Sequence, residues 1–146
     1  MLDQLYQEVI LDHNKSPRNF GELEEASHSA EGHNPLCGDK VKVFLDVEDG
    51  TIEDIRFQGA GCAISTASAS LMTEALKGKT LEEAKELFEL FHQVVTGKRE
   101  ASPEEMGKLA VFQGVQKYPV RVKCASLAWH TVLAALKQRD EAVTTE

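Results

Sequence analysis

The chain of 146 residues holds three cysteines, and each lies in a setting suited to presenting a thiolate to one shared metal. Cys37 sits in Asn34-Pro35-Leu36-Cys37-Gly38-Asp39, Cys62 follows Gly59-Ala60-Gly61, and Cys124 follows Arg121-Val122-Lys123. With the carboxylate of Asp39 the donor count reaches four, the coordination number that zinc prefers. Gly38, between Cys37 and Asp39, can take a positive φ that bends both side chains toward one point. A thiol at the start of a helix, the place expected for Cys62, meets unpaired amides that favour thiolate. Arg121 and Lys123 favour the thiolate of Cys124 and would offset part of the negative charge of such a site. Each cysteine alone could equally be a buried space-filler. The recurrence of all three at junctions between elements favours a common site.

Other candidates carry less. His33 stands close before Cys37 and could be a ligand, but a solvated loop histidine is the simpler reading. His130 is displaced from a whole number of helical turns after Cys124 and should point elsewhere. His13, His28 and His92 have no ligand context. Trp129 reads as packing in a core or an interface. Ser65, Thr66, Ser68 and Ser70 read as small-residue helix packing, with no base to activate any of them. Glu82, Glu83, Glu86 and Glu89 read as a solvated helix face.

The elements that must position these residues follow from periodicity. Leu2, Leu5, Tyr6, Val9 and Ile10 form an apolar stripe and predict a helix over residues 3–13. Pro17 and Gly21 end it and open a polar stretch to about residue 35, with a short edge strand expected around residues 26–31. Val41, Val43, Leu45 and Val47 alternate with Lys42, Phe44, Asp46 and Glu48, as in a half-buried strand. Asp49-Gly50 is a hairpin signal, and Ile55 and Phe57 lie on a returning strand that ends near residue 58. A helix is expected over 63–76, stopped by Gly78. Thr80 and Glu83 fit a capping box for the next helix. Ser102-Pro103-Glu104-Glu105 repeats that start signal for a helix ending near Gly114. The last helix, about 121–137, is apolar over much of its circumference and should be buried. Residues from about 140 onward read as a frayed tail. One α+β domain over 1–146 results, with a small antiparallel three-stranded sheet and helices packed on it.

Composition narrows the function. The chain has 16 basic and 24 acidic residues, a net charge of −8, which disfavours nucleic acid as a partner. No basic, apolar leader opens the sequence, and no apolar run is long enough to span a bilayer. Three cysteines cannot all pair within one chain, so a reducing, cytoplasmic setting with free or metal-bound thiols is expected.

The order Cys37-Gly38-Asp39, then Gly61-Cys62-Ala63-Ile64-Ser65, then Lys123-Cys124-Ala125-Ser126-Leu127 resembles the IscU/SufU family, the NifU N-terminal-like iron–sulfur assembly proteins. Leu5-Tyr6, Asp12-His13 and Pro17-Arg18-Asn19 extend the resemblance over nearly the whole chain. Two features bring it nearer the SufU branch. The separation of Cys62 from Cys124 is longer than in the IscU pattern, with the extra length around 94–118. Lys123 also stands where IscU-type proteins carry histidine, and a protonated lysine has no lone pair for a metal.

The resemblance implies an IscU/SufU-like fold and zinc held by Cys37, Asp39, Cys62 and Cys124. It also implies a pyridoxal-phosphate (PLP) cysteine desulfurase as sulfur donor, with later assembly proteins or apo-acceptors downstream. In that reading Cys37 accepts sulfane sulfur in a sulfurtransferase-type half-reaction, Cys124 is the rival acceptor, and Arg121 orients Asp39 or the incoming persulfide. An alternative is a scaffold that builds a transient [2Fe–2S] cluster, or binds iron, on the same four residues. More remote are a zinc hydrolase and a structural zinc module. Three thiolates leave zinc a poor Lewis acid, and the motifs supply no general base.

Overall fold

A computed structural model describes residues 2–24, 26–34, 38–100, 103–136 and 143–144. Helix α1 (Leu2–Lys15) is followed by strands β1 (His28–Asn34), β2 (Asp39–Glu48) and β3 (Thr51–Ala60). Helices α2 (Ala63–Leu76), α3 (Leu81–Val95) and α4 (Pro103–Met106) come next, then a 3₁₀ helix (Gly107–Val115) and α5 (Pro119–Leu136). The α+β architecture with a three-stranded antiparallel sheet is present, with β2 in the middle, paired to β1 and β3. A two-residue strand β4 (Val143–Thr144) lies parallel to Gly32 and His33 on the outer side of β1. The polar sequence around it gives no sign of a strand.

The β2–β3 turn follows from its two residues. Asp49 (φ 51°) and Gly50 (φ 75°) both occupy the left-handed region, the backbone of a tight hairpin turn whose twist matches the strands. Pairing runs back as far as Lys40 opposite Ala60, two residues beyond the expected strand end. A bulge lets Ile52 and Ile55 both reach the core, where each is fully buried. The first strand begins at His28, later than the expected 26–31, and carries His33 within the sheet opposite Lys40. The loop reading of His33 is therefore corrected.

Val41, Val43 and Leu45 face the helices, as do Ala30 and Gly32 across from Val43 and Val41. Helix α5 packs on β1 and β2, and α2 packs on α5, with α1 on α2. At Gly32 a side chain would overlap Thr131 of α5, so the absence of a Cβ lets helix and strand approach. Trp129 of α5 is 1% exposed and stacks on Phe91 of α3, with ring centroids 4.5 Å apart. Buried residues occur on nearly every side of α5, as its composition indicates.

Helix α2 has the expected bounds. Thr80 and Glu83 form the capping box, each side chain bonded to the other's backbone N–H at 3.1 and 3.0 Å. The helix expected to run to Gly114 is instead one α turn followed by a 3₁₀ segment. Gly107, at φ 60°, ends the α geometry. Its proposed cap, Ser102, lies outside the described residues. No described helix is long and apolar enough to cross a membrane.

Candidate metal centre

The site forms where the sheet ends and two helices begin. Asp39 is the first residue of β2, on the same face as Val41 and Val43, and is fully buried. Cys62 joins β3 to α2 and is the N-cap of that helix. Its Sγ accepts from the Ser65 backbone N–H at 3.4 Å, so the expected helix-start setting is present. Cys124 lies in the second turn of α5, 2% exposed. One ligand atom from each of Asp39, Cys62 and Cys124 lies within 4.8 Å of the others.

Hydrogen bonds fix the carboxylate. Its Oδ1 accepts the Cys62 backbone N–H at 2.8 Å, and its Oδ2 lies 3.7 Å from Cys62 Sγ. Gly61 is needed here for space: a Cβ at that position would overlap the Asp39 carboxylate. Asn34, paired with Asp39 across the β1–β2 register, directs its Nδ2 to Cys124 Sγ at 3.7 Å.

The donor set suits a thiophilic dication. Ligands about 2.0–2.3 Å from tetrahedral zinc sit roughly 3.3–3.8 Å from one another, the separation of Cys62 Sγ from Asp39 Oδ2. Among the described residues Asp39 forms no ion pair with a basic side chain. A buried carboxylate beside two sulfurs thus has no basic partner among the described residues, and a bound cation would provide the counter-charge. Cys37, the fourth expected donor, lies outside the described residues, as do Pro35 and Leu36.

Among the described residues no ion pair joins Arg121 to Asp39. Arg121 is exposed in the first turn of α5, with its guanidinium 4.7 Å from the centroid of the Tyr118 ring. Lys123 is half-buried. The remaining histidines are elsewhere. His130 meets the edge of Phe88 and lies 6.1 Å, centroid to centroid, from His92. Burial, then the nearby His92, lowers the pKa of His130.

The sequence gives no role to His13 or Asn34. His13 is 1% exposed, and its Nδ1 lies 2.7 Å from Ser70 Oγ. That oxygen also accepts the Arg18 backbone N–H at 2.8 Å. Thr73 Oγ1 donates to the Ser70 carbonyl and accepts from Asn19 Nδ2. These bonds join α1 and the Pro17-Arg18-Asn19 loop to α2. Ser70 thus does more than pack, and the only signal was the histidine-and-serine content of two distant segments.

Comparisons with known proteins agree with this geometry. The profile described as "NifU-like N terminal domain" matches residues 5–139. The "Zinc-dependent sulfurtransferase SufU" of Bacillus subtilis is 43% identical over 128 residues, 88% of this chain and 86% of that protein. The "Iron-sulfur cluster assembly scaffold protein IscU" of Streptococcus pyogenes is 40% identical over 141 residues, 97% of this chain and 88% of that protein. A crystal structure described as a putative SUF-system scaffold protein from Fervidobacterium islandicum superposes with a TM-score of 0.84 at 38% identity. It covers 91% of this chain and 97% of its own. Fold, sequence order and the Asp39–Cys62–Cys124 cluster converge, and the chain belongs to the NifU-like N-terminal domain family, the group that includes SufU and IscU.

Proposed function

We propose that this chain is an iron–sulfur assembly protein that binds zinc through Cys37, Asp39, Cys62 and Cys124 and relays sulfur from a PLP-dependent cysteine desulfurase. The observation that carries the reading is the buried Asp39 carboxylate set within 4.8 Å of two cysteine sulfurs. Zinc, when bound, keeps its cysteine ligands in the thiolate form that sulfur transfer requires.

In the reaction, the Cys37 thiolate attacks the terminal sulfur of the donor persulfide. A new S–S bond forms at Cys37 as the donor's S–S bond breaks. The donor cysteine leaves as thiolate, and the persulfide proton passes with the transferred sulfur. No net oxidant is consumed. Cys124 is too deeply buried to meet a partner's persulfide without rearrangement, and Asp39 is held by the backbone of Cys62. This favours Cys37 as the acceptor. Arg121, exposed beside Tyr118, is assigned to the incoming persulfide. The work belongs in the reducing cytoplasm, with later assembly proteins or apo-acceptors receiving the sulfur.

A scaffold function with a transient [2Fe–2S] cluster is the second reading. It is favoured by the mixed sulfur and carboxylate donors and by the name of the Streptococcus relative. One experiment separates them. Purified protein is assayed for zinc and iron, then mixed with desulfurase and isotope-labelled cysteine. Tightly held zinc, with label on wild type and none on Cys37→Ser, supports the relay. Label retained on Cys37→Ser refutes the Cys37 assignment, and a stable visible chromophore after reconstitution with iron and sulfide favours the scaffold.

A further inference from the structure

We propose that Asn34 is a positioning residue for Cys124, and that its side-chain amide makes Cys124 the fixed sulfur of the centre. The inference rests on the reading of this cluster as a metal site. Strand alternation places Asn34 last in the helix-facing row of β1, after Ala30 and Gly32 and opposite Asp39. Its side chain is fully buried, and a buried primary amide requires partners. Cys124 Sγ, 3.7 Å from Nδ2, is one of them. The bond joins the end of the sheet to α5 across 90 positions of sequence.

Cys62 meets Asp39 of β2, but the N–H groups donated to the two described sulfurs come from different places. Cys62 Sγ takes its amide from Ser65 of its own helix, so that bond travels with the α2 terminus. Cys124 takes one from a different element, so displacing its sulfur means separating α5 from β1. An N–H donor also withdraws electron density from a thiolate and makes it a weaker nucleophile. Asn34 thus both anchors Cys124 and quiets it.

The test uses cobalt-loaded full-length protein and two variants. Asn34→Leu keeps similar volume without a donor, and Asn34→Asp replaces the donor with an acceptor. The expected result is a shift of the thiolate-to-cobalt charge-transfer band to longer wavelength in both. Zinc should pass to a competing chelator roughly tenfold faster. Alkylation of Cys124, mapped by mass spectrometry, should rise relative to Cys62. A folded variant with an unmoved band and unchanged release overturns the inference, because loss of packing alone would lower stability without altering the band. If neither variant folds, wild type loaded with NMR-active cadmium decides. Scalar coupling from the Asn34 side-chain amide protons to the metal supports the bond, and its absence overturns it. Wild type that shows no thiolate–cobalt band defeats the metal reading itself, a result distinct from an unmoved band in the variants.

Discussion

Two buried polar clusters lie in this fold, and they are built on opposite principles. Between α1 and α2, His13, Ser70, Thr73 and the Arg18 backbone alternate donors with acceptors, while His13 Nε2 makes no hydrogen bond and lies 3.6 Å from Glu74 Oε1. At the end of the sheet, Asp39, Cys62 and Cys124 converge lone pairs on one point. Their donors approach from behind: the Cys62 N–H to Asp39, the Ser65 N–H to Cys62 and Asn34 to Cys124. A cluster that alternates is mortar for the fold. A cluster of one polarity, propped from outside, is a place for a cation. Burial alone does not distinguish them, since His13 and Asp39 are both 1% exposed or less.

Substitution at each cluster should break the comparison cleanly. The largest effect is expected for Cys124→Ser, which removes a buried sulfur from the proposed site. Zinc content measured by elemental analysis should fall to near zero, and the gain in thermal stability on adding zinc to wild type should vanish. Ser70→Ala should do the reverse. It strips a partner from both His13 and the Arg18 N–H, at a cost of about 2–3 kcal/mol in urea unfolding, while zinc content stays at the wild-type level. Metal loss in folded Ser70→Ala would show that the clusters are not independent.

A smaller effect is expected at Gly61. Gly61→Ala sets a methyl against the Asp39 carboxylate, so zinc affinity should drop roughly tenfold with little change in the unfolding midpoint of the metal-free protein. Competition with a chromogenic chelator measures it.

The mortar cluster also carries a pH dependence. Burial, followed by the charge of Arg18, lowers the pKa of His13, with Glu74 opposing. Its folded-state pKa is therefore below the unfolded value of about 6.5. The unfolded chain binds the proton more readily, so this contribution is complete above that value and stability falls as pH drops below it. His130, also lowered, acts in the same direction. His13→Gln should flatten part of the slope between pH 7 and 5 in denaturant titrations. The smallest effect is expected for Arg18→Ala. It loses an exposed ion pair with Asp12 but keeps the backbone N–H that Ser70 needs, and its change should be barely resolved beside that of Ser70→Ala.

The parts of the fold that were legible share a cause: their signals are local. Asp49-Gly50 dictates its turn, Thr80 and Glu83 cap a helix across one turn, and the apolar pattern of α2 sets its bounds. The 3₁₀ segment escaped because a single positive φ at Gly107 outweighed a helical composition. The start of β1 escaped because its residues are polar and gain their regularity from pairing with β2. At the site, motif order singled out Asp39, Cys62 and Cys124, which the fold brings together. Asn34 lay within a motif yet had no assigned task, because its sulfur partner is distant in sequence. His13 depended on Ser70 in the same way.

Helix α5 is wrapped in core on nearly every side, and it carries Cys124, a candidate ligand. Damage anywhere along that helix, even a trimmed Val132 far from the sulfur, should loosen the whole post and register as a lost metal. A mutant survey scored only by zinc retention would thus mistake folding faults in α5 for ligands. At Gly61, on the exposed rim, the same assay reports on the pocket itself.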